Sequence, residues 1–195
     1  MSMFCYQCQE AARGTGCTIQ GVCGKLPETA KLQDLLLHTI KSIAFFSKKL
    51  RASGSITTEI DFYITNSLFM TITNANFDDD AIIVVIKKGL EIRDTLWSLA
   101  KEKGLEIENT FSTYLTSTNE LVTKEQMISF AEKVGVLRTE NEDIRSLREL
   151  VIYGLKGLSA YVEHAFNLGK QNTEIFKFIE KALVEVDNPA NGADE

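Results

Sequence analysis

Apolar residues recur at steps of three and four along most of this chain, the spacing that lines one face of an α-helix. Leu32, Leu35, Leu36, Ile40, Ile43 and Leu50 form the first such stripe, with Lys41, Lys48 and Lys49 falling largely on other faces. Pro27 and Glu28 suit the opening turn, one by its fixed φ and the other by its charge at the positive end of the helix dipole, and Gly54 ends the element. A second helix is predicted over about 58 to 73, with Ile60, Ile64, Leu68, Phe69 and Ile72 as its apolar stripe.

The run Asn74 to Asp80 breaks the pattern. It reads as an N-cap followed by acidic first-turn residues. It does not read as a calcium loop, because three adjacent aspartates lack the alternating ligand spacing and no glutamate closes the loop at the right offset. A long helix is predicted over about 79 to 103, through Ile82, Ile83, Ile86, Leu90, Leu96, Trp97 and Ala100, stopped by Gly104. Trp97 is expected to anchor the core. Residues from about 105 to 122 are rich in Thr, Ser and Asn and read as a polar connection.

Thr123 and Gln126 form a capping-box pattern ahead of a helix over about 124 to 134, ended by Gly135. Asn141 can cap a long helix over about 142 to 168, with an expected core face of Ile144, Leu147, Leu150, Val151, Leu155, Leu158, Val162, Ala165 and Phe166. Gly154 and Gly157 lie inside it, each costing about 1 kcal/mol against alanine, so close helix packing at that point is the expected compensation. Gly169 caps its end. A last helix over about 172 to 186 carries Ile175, Phe178, Ile179, Leu183 and Val186, and the tail from Asp187 is expected to fray.

Six helices with short connections make the chain all-α, read as two three-helix bundles in tandem, with a boundary near 74 to 80 or 104 to 122. No internal repeat supports the tandem division.

Composition changes this picture little. Hydrophobic residues make up 44% and charged residues 25% of the 195, as in an ordinary globular protein. A chain of this size buries roughly 70% of its unfolded surface, so it needs no disulfide staples. The net charge of -6 argues against nucleic acid or an anionic lipid surface as a partner. No apolar run approaches the roughly 20 residues of a membrane span. The N-terminus lacks a basic region followed by an apolar core, so a cytoplasmic location is expected. Thiols stay reduced there unless they are used, which makes disulfides the weaker reading of the cysteines.

The candidate chemistry is confined to one place. All four cysteines, Cys5, Cys8, Cys17 and Cys23, stand in the first 25 residues, among Gly14, Gly16, Gly21 and Gly24. Glycine lets backbone come close to a bulky inorganic centre, and the amide N–H groups of such a loop can hydrogen-bond to sulfur. The Cys5-x-x-Cys8 pair can clamp one edge of a metal centre while Cys17 and Cys23 close the other. A structural zinc usually takes two short knuckles, whereas five residues separate Cys17 from Cys23. An iron–sulfur cluster is larger and tolerates staggered spacings, so the spacing favours a cluster and leaves zinc as the runner-up. His38 and His164 stand alone on predicted helices, and no nucleophile elbow or phosphate loop is present. Glu and Asp are plentiful but read as solvated helix faces. No catalytic residue is assigned.

The run Met3-Phe-Cys-Tyr-Gln-Cys-Gln-Glu10, with Gly16-Cys-Thr and Gly21-Val-Cys-Gly-Lys25, closely resembles the start of the hybrid cluster protein family, also called hydroxylamine reductases or prismane proteins. The resemblance continues through Leu32 to Leu35, Thr71 to Asp80, Asp143 to Arg148 and Gly154 to Gly157. It implies that Cys5, Cys8, Cys17 and Cys23 hold a [4Fe–4S] cluster, with [2Fe–2S] as the less favoured form. It also implies two spectrin-like three-helix bundles packed as one unit over 28–195, behind a cluster-binding loop at 1–27.

In that family, reduction of hydroxylamine to ammonia, or of nitric oxide in a related role, is done at a hybrid Fe–S–O cluster. Later α/β domains hold it through His, Glu and Cys ligands. Here every cysteine is already used in the loop, so the chain looks like the helical domain alone: part of an oxidoreductase that passes electrons but lacks the catalytic ligands. The implied partners are a redox protein as electron donor and the missing α/β domains. A stand-alone iron–sulfur sensor or interaction module, and a structural zinc protein, are the alternatives.

Overall fold

The computed structural model describes residues 3–105, 120–188 and 191. Among the described residues six α-helices follow in order: α1 (Pro27–Arg51), α2 (Thr58–Met70), α3 (Asp79–Glu102), α4 (Lys124–Ala131), α5 (Glu142–Asn167) and α6 (Thr173–Glu185). Single 3-10 turns occupy Ala12–Gly14 and Val136–Arg138. The chain is all-α, as its periodicity requires. Among the described residues the one β-type pairing is an isolated bridge in the cysteine loop.

The helix starts are set by local chemistry. Pro27 takes the first turn of α1. The Asp78 carboxylate accepts from the Ala81 N–H at 3.0 Å to open α3, and Asn141 Oδ1 accepts from the Ile144 N–H at 3.0 Å to open α5. At α4 the capping box is complete: Thr123 Oγ1 accepts from the Gln126 N–H, and Gln126 Oε1 accepts from the Thr123 N–H at 2.9 Å. Each cap contributes on the order of 1 kcal/mol by satisfying an otherwise orphaned donor.

Helix α1 is the axis of the molecule. It packs along α3 and against α6, α4 and α2, while α2 lies on α5. Leu32, Leu35, Leu36, Ile40, Ile43 and Leu50 of α1 are completely buried. They join a continuous apolar core that includes Met127 of α4, Leu155 of α5 and Leu183 of α6. Burial of each such side chain stabilises by roughly 1.5–3 kcal/mol. At the α1–α3 contact Gly89 is the residue that permits close approach. A Cβ there would lie 2.2 Å from Tyr63 Oη and 2.7 Å from Thr39 Cγ2. Tyr63 in turn donates to the Val85 carbonyl at 2.8 Å.

Several expectations are corrected. Gly154 and Gly157 receive no close helix, since a Cβ at either would meet nothing within 4 Å. Leu147, Leu150 and Val151 are exposed, and the buried face of α5 is Ile152, Leu155, Lys156, Ser159 and Val162. Lys156 and Ser159 can occupy it because each has a hydrogen-bond partner there. Trp97 is only partly buried and packs at the core's edge, with Lys101 Nζ 3.9 Å from its ring centroid. Helix α2 ends at Met70 and α4 at Ala131, each about three residues earlier than the pattern suggests.

The acidic residues are not all on solvated faces. Asp61 and Glu180 are buried against Arg51, which donates to Glu180 at 2.9 Å and pairs with Asp61 through its other nitrogens. Asp187 is not frayed, because Lys41 at 3.1 Å and Arg138 at 2.9 Å both pair with it. The polar connection predicted over about 105 to 122 and the end of the tail lie largely outside the described residues.

Candidate metal centre

The cysteine loop is folded by its own backbone. The Met3 N–H donates to the Thr18 carbonyl at 3.1 Å and the Cys5 N–H to the Cys17 carbonyl at 3.1 Å, while the Cys17 N–H returns to the Cys5 carbonyl at 2.8 Å. This two-way exchange is the hydrogen-bonded pair of an antiparallel ladder, and it brings the first and third cysteines of the sequence side by side. Between them the chain reverses through the turn Ala12–Gly14, where Arg13 (φ 58°) and Gly14 (φ 67°) take left-handed conformations. Gly16 follows at φ 135°, and a Cβ on it would strike the Phe4 ring at 2.9 Å. Cysteine spacing alone does not show these contacts; the glycines between the cysteines are the signal for them.

The four cysteines differ in exposure. Cys17 is buried, Cys5 and Cys8 are half-buried, and Cys23 is exposed. The Ala12 N–H donates to Cys17 Sγ at 3.4 Å, the amide-to-sulfur contact that the glycine-rich loop leads one to expect. Cys23 stands in a tight turn closed by Gly24 N–H to the Gly21 carbonyl and Gly21 N–H to the Lys25 carbonyl, both at 2.8 Å. A Cβ on Gly21 would lie 3.1 Å from Cys23 Sγ, so the bare backbone there leaves the sulfur its room. All four thiols are free. Among the described residues no three His, Cys, Asp or Glu side chains converge closely enough to hold a single metal ion. A cuboidal cluster takes its thiolates at separate corners, and the donor set fits that: four thiols in one loop, with an amide hydrogen on Cys17 Sγ and bare glycine backbone beside Cys23 Sγ.

Beneath the loop lies a set of ionisable groups that sequence reasoning missed. Lys25 and Lys156 are each 1% exposed. Lys156 Nζ donates to Gln7 Oε1 and to the Thr71 carbonyl, both at 3.1 Å. The Asp34 carboxyl, half-buried on α1, is pushed up to about 7 by desolvation, with the charge of Glu149 adding to the effect. Glu149 is itself raised, again mainly by desolvation. The one available signal for Lys156 was its helical register with Ile152, Leu155, Ser159 and Val162. His38 is buried with its ring 5.8 Å from that of Phe130, and His164 is exposed near Phe69.

A cleft of about 380 Å³ separates the segment Tyr6 to Gln9 from α5 and runs past Cys8, Leu150, Tyr153 and Lys156. It continues into the exposed apolar face of α5, where Leu150 is 66% and Tyr161 78% exposed.

The described residues thus form an all-helical scaffold that presents four free cysteines in one glycine-rich loop. Sequence comparison makes the assignment specific. The Prismane/CO dehydrogenase family matches residues 3–192, and the chain belongs to that family. A hydroxylamine reductase of Bacteroides thetaiotaomicron is 54% identical over 186 residues, covering 95% of this chain and 33% of the relative. Those of Bacteroides fragilis and Desulfitobacterium hafniense are 51% and 46% identical, over 95% and 100% of this chain. The chain spans about a third of the length of these relatives. The family implied by the cysteine loop is the family found, and it implies an iron–sulfur cofactor.

Proposed function

We propose that this chain is the iron–sulfur electron-transfer domain of a hydroxylamine reductase. Cys5, Cys8, Cys17 and Cys23 would hold a [4Fe–4S] cluster. When bound, such a cluster supplies one-electron transfer. The observation that carries the reading is the backbone pairing of Cys5 with Cys17, which sets the first and third cysteines side by side in one loop.

The residues around the loop have definite tasks in this reading. Ala12 donates to Cys17 Sγ and so stabilises thiolate charge. Gly16 and Gly21 keep side chains away from the sulfurs and the Phe4 ring. Exposure of Cys23, with Ile19, Val22 and Leu26 exposed around it, leaves an apolar edge through which electrons could enter or leave. The exposed apolar residues of α5 suit a second partner, the remaining two-thirds found in the longer relatives. Reduction of hydroxylamine to ammonia, or of nitric oxide, would then occur at a hybrid Fe–S–O cluster held by that partner, in the cytoplasm.

Four cysteines committed to one cluster leave no open metal position for a nitrogen substrate. The 195-residue protein should therefore show reversible one-electron bleaching on reduction, yet no saturable hydroxylamine-dependent oxidation of reduced viologen above a Cys17→Ser blank. Turnover comparable to that of a full-length family member would overturn the assignment.

A further inference from the structure

We propose that Lys156 is the interior counter-charge of the cofactor held by the cysteine loop, and that its ammonium raises the reduction potential of that cofactor. The inference rests on the function proposed above.

A buried ammonium normally stands against a carboxylate, because taken unpaired out of water it loses its solvation with nothing to replace it. Lys156 does not follow that rule. It is 1% exposed, and its two hydrogen-bond acceptors, Gln7 Oε1 and the Thr71 carbonyl, are both neutral. Among the described residues it makes no salt bridge, although Asp34 and Glu149 are near enough to act on it at a distance. Desolvation accordingly holds its pKa down to about 8; Lys25 pushes the same way, while Glu149, Asp34 and Cys5 pull it back up. The protein's own carboxylates thus leave the charge under-compensated.

The position of the charge names the missing anion. Gln7 lies between Cys5 and Cys8, so the ammonium is tied to the middle of the first cysteine pair, and Cys5 is one of the groups that act on it. A cluster with four thiolates is a net anion, and an added electron makes it more so. A fixed cation in a low-dielectric interior stabilises the reduced state more than the oxidised state, which raises the potential. The step is the gain of one electron from an external low-potential reductant such as dithionite; no bond forms or breaks and Lys156 keeps its protons. Lys25, equally buried two residues beyond Cys23, adds a second positive charge at the far end of the loop.

A purely structural role is the competing explanation, since the bond to Gln7 also ties the loop to α5. Three variants separate the two. Lys156→Met removes charge and tie but keeps shape, Gln7→Ala removes the tie but keeps charge, and Lys156→Arg keeps charge. Each is purified anaerobically, checked for helicity, assayed for iron and sulfide, and titrated spectroelectrochemically. The expected result is a full cluster in Lys156→Met with a more negative midpoint. At the wild-type midpoint its reduced-to-oxidised ratio should fall about tenfold, or about 59 mV for one electron. Gln7→Ala and Lys156→Arg should titrate like wild type. Loss of iron from Lys156→Met alone, with the other two loaded, supports the same conclusion. An unshifted midpoint in loaded Lys156→Met, an equal shift in Gln7→Ala, loss of iron from all three, or unfolding of Lys156→Met would each overturn it. Absence of iron and sulfide from the wild-type protein would instead sink the function on which the inference rests.

Discussion

Cys5 and Cys17 exchange both of their backbone hydrogen bonds, at 3.1 and 2.8 Å, across the eleven residues that separate them. The pairing uses main-chain atoms only, so it does not depend on a metal. It ties a small apolar cluster of Met3, Cys17 and Ala30 that is separate from the main core.

That separation sets the outcome of removing one cysteine. Cys17→Ser should abolish cofactor binding and loosen the loop, while leaving the six helices folded. Far-ultraviolet circular dichroism should stay close to that of the loaded protein, and hydrogen exchange should rise only before residue 27 or so. Global unfolding of this variant would show that the metal organises the helices, as in small zinc domains.

The glycines of α3 and α5 should respond to alanine with opposite signs. Gly89→Ala forces a methyl group into Tyr63 and Thr39, and overpacking of that kind costs roughly 1–3 kcal/mol. Gly154→Ala and Gly157→Ala meet open space and should each stabilise by up to about 1 kcal/mol through helix propensity. Urea midpoints of the three single variants check the pattern. Stabilisation by Gly89→Ala would contradict the close α1–α3 contact.

Asp34 predicts a pH dependence. Its carboxyl titrates near 7 in the folded state, against an ordinary value near 3.8, because burial disfavours its charge. Between those values the folded chain holds a proton that the unfolded chain has released. Its contribution to stability is therefore complete below about pH 4 and is lost as pH rises through about 7. Asp34→Asn should equal wild type near pH 4 and exceed it near pH 8, by at most about 4 kcal/mol. Equal stabilities at both values would contradict the desolvated environment.

What the sequence made legible was local. Asp78, Thr123 and Asn141 lie next to the amides they cap, so their roles follow from three-residue patterns. The backbone turns of the cysteine loop were legible for the same reason, because its cysteines and glycines are close in sequence. The buried face of α5 was not. The helix has apolar residues on more than one side, and its core side includes Lys156, satisfied by Gln7 149 positions away and by Thr71 85 positions away. The pairing of Arg51 with Glu180 spans 129 positions and left no periodic trace. Close packing was expected at Gly154 but occurs at Gly89, because only the partner helix decides which glycine is approached.

The most direct test of the central claim is the metal and sulfide content of the protein purified without oxygen. A [4Fe–4S] centre on Cys5, Cys8, Cys17 and Cys23 predicts a brown protein with about four irons and four acid-labile sulfides per chain. Stoichiometric zinc with no labile sulfide would contradict it.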